Sequence, residues 1–408
     1  MKKMLLMAIV AACSLSGAYA RKVQPSDAVT PRTDVPTCVL YNEVLDGNHQ
    51  PADVLFEEGV NAVYHDEGLC VEAGQGRVRL DRYYSLGRRS VRYVATFSED
   101  AVAQFYTVPS VVPFCVDMHA HRIIVGCQPE AWKKIEWLVP DEQYLVEIDH
   151  EYGTNISRIT RLTTGESEEI VLTTDGPGGS YAGMLNTPFN AGPMWDYYAF
   201  DVQQGTMTVS RMSVIAGACD LTLLIYGDSI TDPEDYYPAS QLPGSWTQLV
   251  MGHVQGRALS SGRSGTNVPE ILLRIRNELP YVKAKYVMIT IGTNGGNTAE
   301  NLSELIEYII AQGSIPILNN IPCNESGTQT SVNELLESMR QKYGLNGCRF
   351  DLATSLAGDG LEVDKSMMFF ENLMDVFGKD IFHHPNTKGA RQMFVRTLID
   401  VPEIYDGI

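Results

Sequence analysis

The chain has 408 residues, of which 44% are apolar and 20% are charged. This length and apolar content suffice to fill the cores of two ordinary domains. The formal net charge is −19 at pH 7. So large a negative charge argues against a nucleic-acid partner, and it would repel a strongly anionic substrate or membrane surface at long range.

Residues 1–20 are predicted to be a cleavable export signal. Lys2 and Lys3 precede the apolar stretch Met4–Ala12, and Ala18-Tyr19-Ala20 forms a small-x-small cleavage site. The apolar stretch is too short to predict a membrane span in the processed chain. The protein is therefore predicted to be exported, either to a periplasm or to the medium.

A second interpretation of this segment stays open. The run Val10-Ala11-Ala12-Cys13 is similar to a bacterial lipobox, which would leave Cys13 acylated and the protein anchored to a membrane. Because this motif comes early and the apolar character continues to Leu15, cleavage after Ala20 is preferred.

Residues 35–216 are predicted to form an all-β sandwich domain. Val91–Phe97 and Leu145–Tyr152 alternate large apolar residues with others, which is typical of strands with one buried face. Two hairpins are predicted around glycine-containing turns. Their strands are 158–162 with 170–174, and 198–202 with 206–215. Many short strands with such turns indicate a sandwich.

The same segment looks similar to concanavalin-like jelly-roll domains. That resemblance implies carbohydrate binding as one role, because modules of this kind often bind sugars. Five aromatic residues could stack on sugar rings or could instead belong to the core or the sheet surface. They are Trp132, Trp137, Trp195, Tyr197 and Tyr198.

The cysteines allow two short-range disulfides. Apart from Cys13, seven cysteines remain, so at least one thiol stays free if the others pair. Cys115 with Cys127, and Cys323 with Cys348, are close enough in sequence to pair, but spacing does not decide connectivity. Buried free thiols that pack as small apolar residues are the alternative.

Residues 220–408 are predicted to form an α/β domain, with the boundary near 217–220. Strands and helices alternate, which indicates a parallel sheet covered on both faces. The predicted strands are 221–226, 257–260, 285–291, 315–320 and 348–352, and the predicted helices are 244–255, 269–278, 298–311, 330–343 and 386–399.

Four short motifs follow one another through this α/β domain. Gly227-Asp228-Ser229 comes directly after a buried strand, where a loop can present a reactive side chain. Ser261–Asn267 and Ile289–Asn294 also follow strands, and Asp380–Asn386 precedes a helix. Each motif alone is weak evidence, because Gly, Asp, Asn and Ser are ordinary turn residues. Their order and context make the set specific.

Together the four motifs resemble those of the SGNH (GDSL-type) hydrolase family, over roughly residues 220–400. The resemblance implies a flavodoxin-like α/β/α fold and an esterase activity without cofactor or metal. It assigns Ser229 as nucleophile, a histidine at 383 or 384 as base, and Asp380 as its carboxylate. It also assigns an oxyanion hole to the backbone N–H groups of Ser229 and Gly265 and the side-chain amide of Asn294.

Two departures from the family pattern bear on the site. Gly295 and Gly296 follow Asn294 where the family usually has Asp, so another group must orient the Asn294 amide. The histidine is also doubled. The Asp-x-x-His spacing from Asp380 selects His383, whereas the helix that follows, with Pro385 predicted as its first residue, selects His384.

Both histidines stay open as the base. His384 is preferred because the sheet holds the helix in place, whereas the loop before the helix can accommodate one extra residue. A metal site built from Asp380, His383 and His384 is a weaker alternative, because adjacent histidines on an extended segment point to opposite faces.

Two functions are compatible with these features. The first is an exported serine esterase that cleaves acyl esters, with an O-acetylated glycan as the preferred substrate class. The second is a carbohydrate-binding protein whose hydrolase-like half is inactive. The intact set of Ser, Gly, Asn and Asp/His residues favours the enzyme.

Overall fold

A computed structural model describes residues 38–107, 114–125, 131–173, 195–236, 239–369 and 382–405. The predicted export signal, its cleavage site and Cys13 lie outside these ranges. None of the helices within them is both long enough and apolar enough to cross a membrane.

The first half of the chain is a β-sandwich, called the sandwich below. Its strands are β1 (Cys38–Val44), β2 (Val54–Phe56), β3 (Asn61–His65), β4 (Gly68–Glu72), β5 (Val78–Leu80), β6 (Arg88–Phe97), β7 (Val102–Tyr106), β8 (Phe114–Asp117), β9 (Arg122–Val125), β10 (Ala131–Lys134), β11 (Tyr144–Glu151), β12 (Thr154–Arg161), β13 (Ser167–Thr173), β14 (Ala199–Gln204) and β15 (Thr206–Ala216).

These strands form two antiparallel sheets that pack face to face. Within the described residues one sheet has the order β13-β12-β11-β6-β15-β4-β3, with β1 added beside β15, and the other has the order β10-β9-β8-β7-β14-β5-β2. The alternation in β6 turns Tyr93 inward, where its ring contacts Phe105 and Phe200 of the opposite sheet. The predicted strands over Val91–Phe97 and Leu145–Tyr152 are thus confirmed as β6 and β11.

Of the two predicted hairpins, one is confirmed and one is wrong. β12 and β13 pair antiparallel, with Thr160 opposite Ser167. β14 and β15 instead belong to different sheets. The chain crosses between the sheets at Gly205, whose φ is 69° and whose missing side chain leaves room for Asp100. An alternating pattern only requires one buried face, so it does not distinguish strands paired side by side from strands packed face to face.

The second half of the chain, called the α/β half below, starts at β16, immediately after the boundary predicted near 217–220. Its strands are β16 (Leu221–Gly227), β17 (Ala258–Gly262), β18 (Ala284–Thr290) and β19 (Ile315–Leu318), and its α-helices are α1 (Trp246–His253), α2 (Val268–Val282), α3 (Ala299–Ala311), α4 (Gln329–Tyr343), α5 (Phe350–Thr354) and α6 (Thr387–Asp400). Short 3-10 helices cover Pro233–Asp235, Ala239–Gly244, Lys365–Met367 and Pro402–Ile404.

The four strands form a parallel sheet of order β17-β16-β18-β19 with helices on both faces. Leu224 and Tyr226 of β16 pack in one apolar cluster with α2, α3 and α4, and this cluster continues into the sandwich. Leu223 and Ile225 point the other way and pack with α1 and α6. Successive residues of a strand face opposite sides, so a continuous apolar run serves both layers. The architecture is the predicted α/β/α fold preceded by a β-sandwich.

Two predicted elements differ from those observed. Residues 348–352 were expected to form a strand, but Phe350 begins the short helix α5. Before it, the backbone N–H of Cys348 donates to the side chain of Asn319 and its carbonyl accepts from the backbone of Asn320. These contacts hold the segment beside the end of β19, where its apolar residues are buried without a regular ladder. Pro385 was expected to begin the last helix, yet α6 begins two residues later with Asn386 as its N-cap.

The disulfide observed is not one of those predicted. Cys38 at the start of β1 is bonded to Cys219, which lies between β15 and β16. Cys323 and Cys348 are both buried thiols, so their predicted pairing is wrong. The thiol of Cys323 instead lies 3.4 Å from the backbone carbonyl oxygen of Asp351. The proposed pairing of Cys115 with Cys127 stays a prediction, because Cys127 lies outside the described residues.

Candidate active site

Ser229 lies on a tight turn at the carboxyl end of β16, and residues 227–236 are called the nucleophile turn below. The backbone N–H of Thr231 donates to the carbonyl of Asp228 at 3.0 Å, and the Asp228 carboxylate accepts from the backbone of Ile230 at 3.0 Å. A Cβ on Gly227 would lie 2.5 Å from the carbonyl oxygen of Thr290, so the turn requires glycine there. Ser229 is 6% exposed.

Burial also changes the acidity of the Asp228 carboxyl in the nucleophile turn. It raises the pKa of Asp228 to about 6, although the backbone N–H of Ile230 opposes that shift. The carboxyl beside Ser229 therefore titrates closer to neutrality than an exposed aspartate does.

His384 is the imidazole that lies against Ser229. Its Nε2 atom is 2.7 Å from the Ser229 Oγ atom, which is within hydrogen-bond reach. Its carbonyl accepts from the backbone N–H of Phe369 at 2.7 Å. Burial lowers the pKa of His384 well below its usual value, and the neighbouring His383 lowers it further. The imidazole is therefore neutral near pH 7, the form that can accept a proton.

His383 contacts a different group. Its Nδ1 atom lies 3.4 Å from a carboxylate oxygen of Glu325. The same oxygen accepts from the backbone N–H of Phe382 at 3.2 Å. Burial acts to raise the pKa of Glu325, but the hydrogen bond with His383 and nearby backbone N–H groups hold it below its usual value. Glu325 thus fastens the segment that leads into His384.

Asp380 lies outside the described residues, so its predicted contact with the base stays a prediction. The weaker metal-site interpretation of Asp380, His383 and His384 depends on the same residue. Across the ranges that the structure describes, no group of three or more His, Cys, Asp or Glu side chains is placed to hold a metal ion.

Gly265 and Asn294 lie on two adjoining loops. Gly265 has a φ of 81°, in the left-handed region that favours glycine. The Asn294 amide donates to the carbonyl of Thr266, the residue after Gly265, at 3.1 Å. That carbonyl orients the Asn294 amide in this chain, where Gly295 and Gly296 follow. The remaining amide N–H of Asn294 is left for another acceptor.

The loop that carries Gly265 also packs against the nucleophile turn. The backbone N–H of Arg263 donates to the carbonyl of Gly227 at 3.2 Å. A Cβ on Gly262 would lie 2.6 Å from the backbone nitrogen of Asp232, so the two backbones approach closely. Residues 262–266 are called the glycine loop below.

Sequence reasoning did not find Glu325 or the role of Thr266. Glu325 follows β19, and the carboxyl end of a parallel strand is where functional side chains collect, so its position was a usable signal. Thr266 had no such signal, because it acts through its backbone carbonyl, which every residue carries.

The five aromatic residues considered for sugar binding differ in exposure. Trp132 is 55% exposed on the edge strand β10. Trp137, Trp195 and Tyr197 are partly buried, and their rings or hydroxyl contact Tyr144, Tyr83 and Glu57, respectively. Tyr198 is buried and donates to Asp196. Of the five, Trp132 is the only one with more than half of its surface exposed among the described residues.

No family model matches the chain, and no curated protein matches it. Matching solved structures include an acetyl xylan esterase from Geobacillus stearothermophilus, with 18% identity over 47% of this chain and 97% of that one, at a TM-score of 0.35. A GDSL-like lipase from Bacteroides thetaiotaomicron matches at 16% identity over 46% and 88%, with a TM-score of 0.34.

The exoplasmic/lumenal domain of VIP36 in its Ca2+-bound form matches at 9% identity, over 43% of this chain and 90% of that one, with a TM-score of 0.32. At these values the evidence for function lies in the residues around Ser229.

Proposed function

We propose that this protein is an exported serine esterase that cleaves acyl esters, with Ser229 as nucleophile and His384 as general base. The observation that carries the proposal is the 2.7 Å distance between His384 Nε2 and Ser229 Oγ. A serine hydroxyl is a poor nucleophile until a base takes its proton, and a neutral imidazole at this distance can take it.

The reaction has two steps, acylation and deacylation, and Ser229 and His384 act in both. Ser229 Oγ attacks the acyl carbon while His384 Nε2 accepts its proton, and the tetrahedral intermediate expels the alcohol, which takes that proton. The acyl group then remains bonded to Ser229 Oγ. Water attacks this ester while His384 Nε2 takes a proton from it, and the acid leaves as that proton returns to Ser229 Oγ. The oxyanion receives hydrogen bonds from the backbone N–H groups of Ser229 and Gly265 and from the Asn294 amide. Asp380 stabilises the imidazolium.

The preferred substrate class is an acetylated glycan. Predicted export and a sandwich next to the site favour an extracellular polymer, and the net charge of −19 disfavours a strongly anionic one. The exposed ring of Trp132 favours a sugar as the group that the sandwich contacts.

Replacement of Ser229 by Ala tests this function. Hydrolysis of 4-nitrophenyl acetate and of an acetylated polysaccharide should fall by about four orders of magnitude or more, because removal of one triad member disables the whole unit. A fluorophosphonate probe should label the wild type at Ser229 and leave Ser229→Ala unlabelled. The thermal midpoint should change little.

The same experiment separates the alternative function. A carbohydrate-binding protein with an inactive hydrolase half would retain binding to the polysaccharide but would show neither turnover nor labelling at Ser229. Retained turnover in Ser229→Ala would refute the serine mechanism itself.

A further inference from the structure

The two halves of the chain meet at a buried polar contact beside the nucleophile turn. The hairpin between β11 and β12 ends in residues 150–153, called the hairpin tip below. Tyr152 and Gly153 both have positive φ, 34° and 83°, which lets the tip turn sharply. The tip reaches into the α/β half, where the Tyr152 hydroxyl accepts from the backbone N–H of Ser260 at 3.0 Å.

The hairpin tip holds one residue of the nucleophile turn. His150 Nε2 lies 2.6 Å from a carboxylate oxygen of Glu234, and the backbone N–H of Gly153 donates to the same oxygen at 3.1 Å. His150 and Glu234 are both buried. Glu234 is five residues after Ser229, in a 3-10 helix capped by Asp232. The backbone N–H of Asp232 donates to the carbonyls of Asp228 and Ser229, so the 3-10 helix and the residues around Ser229 form one hydrogen-bonded unit.

The carboxylate of Glu234 has its partners in the sandwich. Arg89 supplies the positive charge, and His150, whose pKa is lowered by burial and by Arg89, supplies a hydrogen bond. Burial acts to raise the pKa of Glu234, but His150 and Arg89 hold it below its usual value. Gly153 contributes its backbone N–H in the same direction. All three groups belong to the sandwich. Without the sandwich, the buried carboxylate of Glu234 in the nucleophile turn would lose these partners. A buried charge deprived of its partner is strongly destabilising where it lies.

The glycine loop is fastened to the sandwich in a similar way. Arg263 Nη1 donates to the Asp196 carboxylate at 3.2 Å, and Asp196 also accepts from Arg89 at 2.7 Å. All three side chains are buried. The loop that carries Ser229 is therefore bound to the sandwich by the buried contact of Glu234 with His150, and the loop that carries Gly265 by the buried ion pair of Arg263 with Asp196.

We infer that His150 is a positioning residue for the esterase site: through Glu234 it holds the nucleophile turn, so that the sandwich contributes to the catalytic unit. This inference rests on the proposed function. His150 does not touch the substrate. It acts by keeping Ser229 Oγ within reach of His384, and misplacement by about 1 Å can cost up to about a hundredfold in rate.

The first test compares full-length wild type with His150→Ala and His150→Gln. The exposed His253 at the end of α1 gives the control, His253→Ala. On 4-nitrophenyl acetate, His150→Ala should lower kcat by about tenfold to a hundredfold with KM changed less than about twofold. His150→Gln, whose amide nitrogen replaces Nε2, should recover kcat to within about threefold of wild type, and His253→Ala should match wild type.

A residue with a merely structural role would lower the thermal midpoint without changing kcat in the folded protein. An unchanged kcat for folded His150→Ala, or no recovery in His150→Gln, would overturn the inference.

The second test needs no activity. Amide hydrogen exchange in residues 227–236 should become at least about tenfold faster in His150→Ala, while residues 299–311 of α3 exchange as in wild type. Equal exchange of residues 227–236 in both proteins would overturn the inference. A wild type without hydrolysis or labelling of Ser229 would refute the proposed function alone, and exchange would still decide whether His150 positions the turn.

Should His150→Ala fail to fold, the double variant His150→Ala/Glu234→Gln removes the buried charge together with its partner. We expect this variant to fold, with kcat still lowered about tenfold or more and with faster exchange in residues 227–236. A wild-type kcat together with wild-type exchange in residues 227–236 of this variant would overturn the inference.

Discussion

At the residue scale, the chemistry depends on which imidazole faces the serine. His383 and His384 are adjacent, and their ring centroids are 4.2 Å apart. Nevertheless one contacts Ser229 and the other contacts Glu325. The two rings thus lie side by side and do not point to opposite faces, as an extended segment would require, yet each reaches a different partner.

The two histidines should therefore respond differently to substitution. His384→Ala should lower kcat/KM for ester hydrolysis by roughly four orders of magnitude or more. His383→Ala removes a hydrogen bond to Glu325, worth about 0.5–1.5 kcal/mol, and a ring contact with His384, but it leaves the contact of His384 with Ser229 in place, so the loss should stay near or below about tenfold. Steady-state kinetics at pH 8 on both variants measures this difference. A larger loss in His383→Ala would assign the base to the Asp-x-x-His spacing instead.

Asn294 gives a second prediction at this scale. Replacement by Ala should lower kcat by about two to three orders of magnitude and leave KM nearly unchanged, because an oxyanion donor acts mainly in the transition state. Asn346→Ala is the control, since that exposed amide donates to Glu403 on the surface. If KM rises while kcat is retained, Asn294 positions the substrate and is not an oxyanion donor.

At the element scale, the start of α6 holds the segment that carries the histidines. The Asn386 side-chain oxygen accepts from the backbone of Lys388 and Gly389, which caps the helix. Its amide nitrogen donates to the carbonyls of Ser366 and Met368. One side chain thus joins α6 to the segment whose Phe369 backbone holds His384.

Asn386→Ala should lower the free energy of unfolding by about 2–4 kcal/mol, because an N-cap is lost together with two further hydrogen bonds. Asn386→Ser keeps a capping oxygen without placing a carboxylate oxygen against the carbonyls of Ser366 and Met368, and it should lose less than Asn386→Ala. Urea denaturation followed by circular dichroism compares the three proteins. Equal stability of the Ala and Ser variants would show that the cap contributes little.

At the scale of the whole molecule, a disulfide joins the start of the sandwich to the segment that leads into the α/β half. The bond between Cys38 and Cys219 closes a loop with a sequence separation of 181 residues and lies next to the start of β16. Cross-links stabilise mainly by restricting the unfolded chain, and the effect grows with loop length.

Loss of this disulfide should therefore destabilise the protein. The double variant Cys38→Ser/Cys219→Ser should lose about 2–5 kcal/mol of stability and show a lower thermal midpoint. Cys70→Ser, which replaces a thiol outside the disulfide, should change stability by less than about 1 kcal/mol. Calorimetry with and without reductant checks both. A midpoint insensitive to reductant would contradict the prediction.

The sequence by itself predicted most of the elements and the position of the nucleophile. The apolar run before Gly227 specified a buried strand, and the turn after it placed Ser229 at the carboxyl end of β16. Alternation in Val91–Phe97 specified β6 in the same way. These features depend on side chains within one element, so periodicity and turn residues are enough to predict them.

Only the tertiary structure decided which distant groups meet. His384 meets Ser229 across 155 residues of sequence, and His150 meets Glu234 across the two halves. The sheet to which β14 belongs and the partner of Cys38 were likewise beyond local patterns. Such contacts follow from how whole layers pack, and a one-residue shift in a loop changes them without changing any local preference.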